Sequence, residues 1–131
     1  MKKDIEIPEV KDVYIAIVKE TNTTYNTEDW NAYIINDKPV PIEMILIVSS
    51  GYNDKKTTVT FRKKLDILPA KSYAKIELLT EELFKLNNEF KVTFFENNKL
   101  LDKTYIFKAN TVNEKSLQPI PLISALGILA K

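Results

Sequence analysis

Apolar and polar residues alternate along much of the chain with a period of two, which is the pattern of half-buried β-strands. The pattern is clearest in residues 42–50. There the alternation places Ile42, Met44, Leu46 and Val48 on one face and Glu43, Ile45, Ile47 and Ser49 on the other. Residues 57–63, 90–95 and 100–107 alternate in the same way and predict further strands. In residues 73–79 the pattern predicts that Ala74, Ile76 and Leu78 face inward.

Two segments are apolar without clear alternation. Residues 13–18 are rich in β-branched side chains, which predicts a strand in the middle of its sheet with both faces covered. Residues 117–130 form an apolar tail that contains Pro119 and Pro121, and proline confines a strand to a sheet edge. Residues 5–7 could add one more short strand.

Turn signals separate these segments. Asn97-Asn98 predicts a tight hairpin, because asparagine tolerates a positive φ, and Pro69 interrupts the chain before residue 73. Residues 80–86 are the one helical stretch, with Thr80 as a possible N-cap. The spacing predicts an all-β fold: an antiparallel two-layer immunoglobulin-like β-sandwich of about seven or eight strands, with one short connecting helix. We expect residues 1–131 to form a single domain.

Composition removes most routes to catalysis. The 131 residues include no histidine, no cysteine, two glycines and a single arginine, Arg62. Those residue types supply most nucleophiles, general bases, transition-metal ligands and phosphate-binding loops, so we expect no enzyme activity, no cofactor and no metal site. The net charge of +1 argues against a dedicated DNA-binding or membrane-surface protein. Because acids follow Met1-Lys2-Lys3 at once, no signal peptide is predicted, and we expect a soluble cytoplasmic protein.

Two resemblances add to this interpretation. The turn and strand at residues 68–78, followed by the hairpin at residues 90–108, resemble the later strands of immunoglobulin-like domains. The whole chain resembles a family of small uncharacterised bacterial proteins found mainly in Bacteroidetes, and the match lies in residues 29–33, 48–52, 86–90 and 117–122. Some members of that family are labelled as a phenylalanyl-tRNA synthetase alpha subunit. Such an enzyme places two separate arginines on ATP, and this chain has one, so the resemblance implies no activity.

A run of basic residues is the first candidate site. Five cations fall within ten residues with no acid between them, and Tyr52 precedes them at a turn: Lys55, Lys56, Arg62, Lys63 and Lys64. A basic groove with an aromatic platform is typical of proteins that bind single-stranded nucleic acid. In the alternative interpretation Lys55 and Lys56 are simply solvent-exposed charges at the tip of a loop, while the charges of Arg62 and Lys64 prevent an edge strand from pairing with other chains.

Carboxylates offer a second candidate. Glu28 and Asp29 precede Trp30, and Asp37 is predicted to lie across the same hairpin. Two carboxyls beside an aromatic sugar platform, Trp30 or Tyr33, would suit a small hydrolase or a carbohydrate-binding module. Adjacent acids at the start of a strand are more often simply solvated. Asn36-Asp37 and Asn53-Asp54 lack the spacing of calcium ligands and are interpreted as turn formers.

Exposed apolar residues are the third candidate. Phe95 alternates onto the polar face of its strand and would then mark a contact surface. The tail residues Ile120, Leu122 and Ile123 are too apolar to remain in water. They form either the last strand of their own domain, the favoured interpretation, or a strand that pairs with a neighbouring chain. We expect a non-enzymatic protein-interaction module that contacts another protein or a second copy through the tail or a strand edge. A nucleic-acid or carbohydrate module is the alternative.

Overall fold

Within residues 9–130, which the computed structural model describes, the chain forms nine strands in two antiparallel sheets. The strands are β1 (Val13–Asn22), β2 (Thr27–Asn36), β3 (Ile42–Tyr52), β4 (Phe61–Leu68), β5 (Ser72–Leu79), β6 (Asn87–Glu96), β7 (Lys99–Phe107), β8 (Gln118–Ile120) and β9 (Ile123–Ala130). Short 3₁₀ helices cover Glu81–Lys85 and Glu114–Ser116. The short strand considered for residues 5–7 lies outside the described residues.

The strand order confirms the predicted sandwich. One sheet has the order β5-β2-β1-β9-β8, and the other has the order β4-β3-β6-β7. Strands one, two and five therefore lie in one sheet and strands three, six and seven in the other, which is the immunoglobulin-like division. The tail adds β8 and β9 beside β1, so the described residues contain one strand more than the upper predicted number.

Aromatic and branched aliphatic side chains fill the space between the sheets. Tyr105, Phe90 and Phe94 are the largest fully buried side chains, and the Tyr105 hydroxyl donates a hydrogen bond to the carbonyl of Val13. As predicted, β1 lies inside its sheet, between β2 and β9. Its second apolar face packs in a smaller cluster on the outer side of the five-stranded sheet, and this cluster contains Ala16, Val18, Ile35, Ile120 and Ile123.

Gly127 allows the tail to approach β1 closely. A Cβ atom at this position would lie 2.6 Å from the carbonyl oxygen of Ile17 and 3.2 Å from a side-chain carbon of Ile120. Because the contacted atom of Ile17 belongs to the backbone, it cannot move aside as the end of a flexible side chain could. Any residue other than glycine at position 127 would therefore push β9 away from β1. The pairing of β9 with β1 therefore depends on a residue without a side chain.

A bulge in β3 overturns one predicted face. Ile42 was expected to share a face with Met44, but it is buried on the same side as Ile45 and Ile47. Met44 has a φ of 48°, and the pairing of β3 with β6 shifts by one residue between Glu43 and Leu46. The extra residue reverses the alternation at this point and leaves Met44 exposed.

A second bulge changes β5. Leu78 was predicted to face inward, but it is exposed, and Leu79 is buried in its place. The pairing with β2 skips Ile76, because Ala32 pairs with Glu77 and Tyr33 pairs with Lys75. One extra residue on β5 reverses the faces beyond it.

The fourth strand and the helix also differ from prediction in detail. The alternation predicts a strand over residues 57–63, but β4 begins only at Phe61. The preceding residues 53–58 form a turn, in which the side-chain oxygen of Asn53 accepts hydrogen bonds from the backbone N–H groups of Lys55 and Lys56. The helix is a 3₁₀ helix, and Thr80 makes no side-chain capping bond. The predicted Asn97-Asn98 hairpin is confirmed, with φ values of 52° and 64°.

Candidate functional site

The outward side of the four-stranded sheet, here called the exposed face, carries a row of apolar residues. Residues directly opposite each other on neighbouring antiparallel strands share one face of a sheet. Ile67 of β4 lies opposite Glu43 of β3, Glu43 lies opposite Phe95 of β6, and Phe95 lies opposite Leu100 of β7. We call Ile67, Phe95 and Leu100 the apolar row; they lie on β4, β6 and β7, and Glu43 occupies the β3 position between Ile67 and Phe95.

Solvent reaches much of this row. Ile67 is 54% exposed and Leu100 is 61% exposed, while Phe95 is half-buried. Met44, next to Glu43 in the β3 bulge, is 69% exposed. The face of a sheet that meets water normally carries polar side chains, and contiguous exposed apolar surface marks interaction sites.

Further rows of the exposed face mix apolar and charged side chains. Leu46 and Val48 are half-buried in its centre, and Ile106 is exposed near its other end. The cations are Arg62, Lys64 and Lys91, and the acids are Glu43, Asp66, Glu89 and Asp102. Lys91 Nζ lies 3.7 Å from a carboxylate oxygen of Glu89. Both signs are interspersed, and three cations against four acids leave the face with a net charge of only −1.

The structure divides the predicted basic cluster. Arg62 and Lys64 point outward on β4, opposite Val48 and Leu46. Lys63, between them, points toward the other sheet, where an inward charge on an edge strand discourages edge-to-edge pairing. Tyr52 is half-buried at the end of β3.

Lys55 and Lys56 lie apart from the sheet. Both are exposed in the turn that follows Tyr52, at the end of the hairpin closed by the Tyr52–Thr57 bridge. Asn53 is a turn former there, as predicted. The five cations therefore do not line one groove.

The tail forms strands of its own domain, which confirms the favoured interpretation. Ile120 and Ile123 are buried in the outer cluster, against Ala16 and Val18. These two side chains are therefore not available for a neighbouring chain, because β1 needs them to cover its second apolar face. Leu122 is exposed at the turn between β8 and β9, with a φ of 67°.

The predicted carboxylate pair is not brought together. Glu28 and Asp29 lie at the start of β2, and Asp37 lies just beyond its end. Eight residues of extended strand separate Asp29 from Asp37 by about 26 Å, whereas a glycosidase needs its two carboxyls within about 10 Å. Asp37 pairs instead with Lys71, at 3.1 Å. Asp29 lies directly opposite Glu20 of β1, a residue that sequence reasoning did not single out.

The aromatic residues proposed as sugar platforms are already in contact with other groups. Trp30 is only 5% exposed, packs edge to face with Phe84 at 5.3 Å, and has Lys19 Nζ 5.5 Å from its ring centre. Trp30 therefore lines a cleft of about 500 Å³ without offering a free ring face. The Tyr33 ring packs edge to face with Tyr73.

Glu77 lies at a cavity of about 230 Å³ between the sheets. Its carboxylate accepts a hydrogen bond of 2.6 Å from the Ser49 hydroxyl. Burial raises the pKa of Glu77 above its ordinary value, and the hydrogen bond from Ser49 opposes this effect without cancelling it. Asn88, Phe90 and Leu79 also line the cavity.

Replacement of Glu77 by glutamine is expected to stabilise the fold at pH 7. A carboxyl whose pKa is raised in the folded state stabilises the fold when protonated and loses that contribution as the pH rises through the folded pKa. Glutamine keeps an acceptor for Ser49 without the buried charge. The free energy of unfolding of E77Q should exceed that of the parent protein at pH 7, and the difference should vanish below about pH 4. E82Q, at an exposed position, should show no such trend. A difference independent of pH would contradict this assignment.

Comparison with protein-family models and with curated proteins found no match. The resemblance to a bacterial family therefore stays a prediction. In the part of the chain that the structure describes, no group of three or more Asp, Glu, His or Cys side chains could hold a metal ion. Among the same residues, no helix is both long and apolar enough to span a bilayer.

Proposed function

We propose that this protein is a non-enzymatic interaction module that associates with a second copy of itself through the exposed face. The observation that supports the proposal is the apolar row, in which Ile67, Phe95 and Leu100 lie on three of the four strands and two of them remain more than half exposed. Burial of such side chains against a partner is favourable by about 25 cal/mol per Å² of apolar surface.

The charges of the exposed face favour a second copy over other partners. A strongly acidic or strongly basic partner would leave at least three like charges of this face uncompensated. A second copy brings three cations and four acids of its own, so every cation of each copy can meet an acid of the other. The same balance gives less support to the alternative nucleic-acid module, because phosphates would lie against Glu43, Glu89 and Asp102.

The size of the exposed face implies weak association. Four strands about 4.8 Å apart and seven residue steps of about 3.4 Å give about 450 Å² per copy. Stable interfaces bury about 800 Å² per partner, so we expect a dimer that dissociates on dilution. Weak association of this kind is typical of transient contacts.

The substitution Leu100→Glu tests the proposal. In sedimentation velocity experiments at increasing concentration, the parent protein should shift from monomer toward dimer. L100E should remain a monomer, because each copy would bury a new charge against the apolar row of the other. Since Leu100 is exposed, the melting temperature of the monomer should change little.

The matched control is Leu126→Glu, an exposed leucine on the other sheet, which should associate as the parent protein does. A parent protein that stays monomeric at millimolar concentration would overturn the proposal. So would loss of the dimer in L126E but not in L100E, because the contact would then lie at the tail.

A further inference from the structure

Two carboxylates lie side by side on the outer face of the five-stranded sheet, far from the exposed face of the other sheet. Glu20 of β1 is directly opposite Asp29 of β2, and like charges in that position repel each other. Glu20 accepts hydrogen bonds from Asn31 Nδ2 at 2.8 Å and from the Tyr33 hydroxyl at 2.7 Å. Asp29 accepts two, from Asn22 Nδ2 at 3.2 Å and from the Thr27 hydroxyl at 3.0 Å. The neighbouring donors fix both carboxylates in place.

The side chain of Asn31 adds an acceptor atom that receives no hydrogen bond from the described residues. This side chain is 5% exposed, and the acceptor atom is its Oδ1. A 180° flip of the side-chain amide does not give this oxygen a donor, because the flipped amide would place Oδ1 against the Glu20 carboxylate. A buried acceptor without a donor costs free energy, and such a group needs a partner.

These groups share one cleft of about 270 Å³. Asn31, Glu20 and Asp29 line it, together with residues of the β1–β2 hairpin and Lys75 of β5. The cleft is close in size to the smaller sites that hold small molecules in proteins. Three acceptor groups, two of them charged, thus converge where there is room for a ligand.

We propose that this cleft binds a small molecule through a primary ammonium group. An ammonium presents three N–H donors and one positive charge, which match the Asn31 oxygen and the two carboxylates. A calcium ion would need six to eight oxygen ligands, more than these side chains supply. A neutral hydroxyl would satisfy Asn31 but would not offset the two negative charges. Lys75 at the same cleft would attract an anionic group on the far side of the ligand.

An NMR titration of the full-length chain tests this site. Ethanolamine hydrochloride is compared with ethylene glycol, which has the same size but a hydroxyl in place of the ammonium, at constant pH and ionic strength. Ethanolamine should shift the Asn31 side-chain amide signals and the backbone amides of Glu20 and Asp29 in a saturable manner. Ethylene glycol should bind at least about tenfold more weakly, since it lacks the charge-assisted hydrogen bonds.

Substitutions separate the site from general charge effects. Asp29→Asn should weaken ethanolamine binding by about tenfold, and Glu20→Gln serves as a second variant should the first not fold. Glu28→Gln is the matched control, because Glu28 does not line the cleft, and it should bind ethanolamine as the parent protein does. No saturable shift, an equal response to ethylene glycol, the same shifts with calcium chloride, or equal loss in E28Q would each overturn the proposal.

Discussion

Deletion of residues 120–131 is expected to abolish cooperative folding. The deletion removes all of β9, which pairs with β1 from Ile15 to Val18. It also removes Ile120 and Ile123, which cover the outer side of β1. Complete burial of one isoleucine side chain contributes about 1.5–3 kcal/mol, so the loss of Ile120 and Ile123, together with the half-buried Ile128, approaches the total stability of a typical domain, about 5–15 kcal/mol. Circular dichroism and urea denaturation should show no cooperative transition.

Two point substitutions in the tail provide the graded version of this experiment. Ile123→Ala, at a buried position, should lower the free energy of unfolding by about 2–4 kcal/mol. Leu126→Ala, at a half-exposed position on the same strand, should lower it by less than about 1 kcal/mol. If the truncated chain kept the melting temperature of the parent and lost only its dimer, the tail would be a contact between chains and this account of it would be wrong.

The substitution Asn36→Asp is expected to be the most damaging isosteric change. Asn36 is fully buried at the end of β2, and its Nδ2 donates to the carbonyls of Val40, Leu68 and Pro69 at 2.9–3.1 Å. One side chain thus ties the β2–β3 turn to the β4–β5 turn. Aspartate has the same shape but no donor, and its charge would face three carbonyl oxygens. We expect a loss of about 3 kcal/mol or more in urea denaturation.

The control for this change is Asn53→Asp. Asn53 uses only its Oδ1 atom, which accepts from two backbone N–H groups in an exposed turn, and a carboxylate can do the same. Its effect on the free energy of unfolding should stay within about 0.5 kcal/mol. Similar losses for the two variants would mean that the buried donor of Asn36 is not what stabilises the turns.

Short-range chemistry explains what the sequence could predict. The Asn97-Asn98 turn follows from the tolerance of asparagine for positive φ, and the central position of β1 follows from a strand with two apolar faces. Both signals lie within a few consecutive residues. The two-layer arrangement then follows, because each alternating strand must bury one face against another sheet.

The errors arise where pairing with a distant strand determines the conformation. The bulges at Met44 and Ile76 are register shifts against β6 and β2, and no local pattern marks them. For the same reason the local alternation predicts the wrong face for the side chain of Leu78. The late start of β4 at Phe61 depends on the turn that Asn53 forms, although residues 57–60 alternate as a strand would.

The exposed face could be predicted only in part. The alternation of β6 marked Phe95 as an outward aromatic residue, and the structure places it on the outward face, half-buried. Leu100 gave a comparable signal, since it shares the polar side of β7 with Asp102 and Thr104. That these residues meet Ile67 in one row depends on the order of four strands, which the sequence alone does not determine. The opposition of Glu20 and Asp29 depends in the same way on the hairpin register.

Amide chemical shifts followed during dilution test self-association through the exposed face most directly. Backbone ¹H–¹⁵N spectra of the full-length chain are recorded from millimolar to low micromolar concentration. The proposal predicts progressive shifts for residues 91–95 and 100–106, with little change in the five-stranded sheet. Spectra that do not change with concentration, or changes confined to residues 118–126 of the tail, would contradict it.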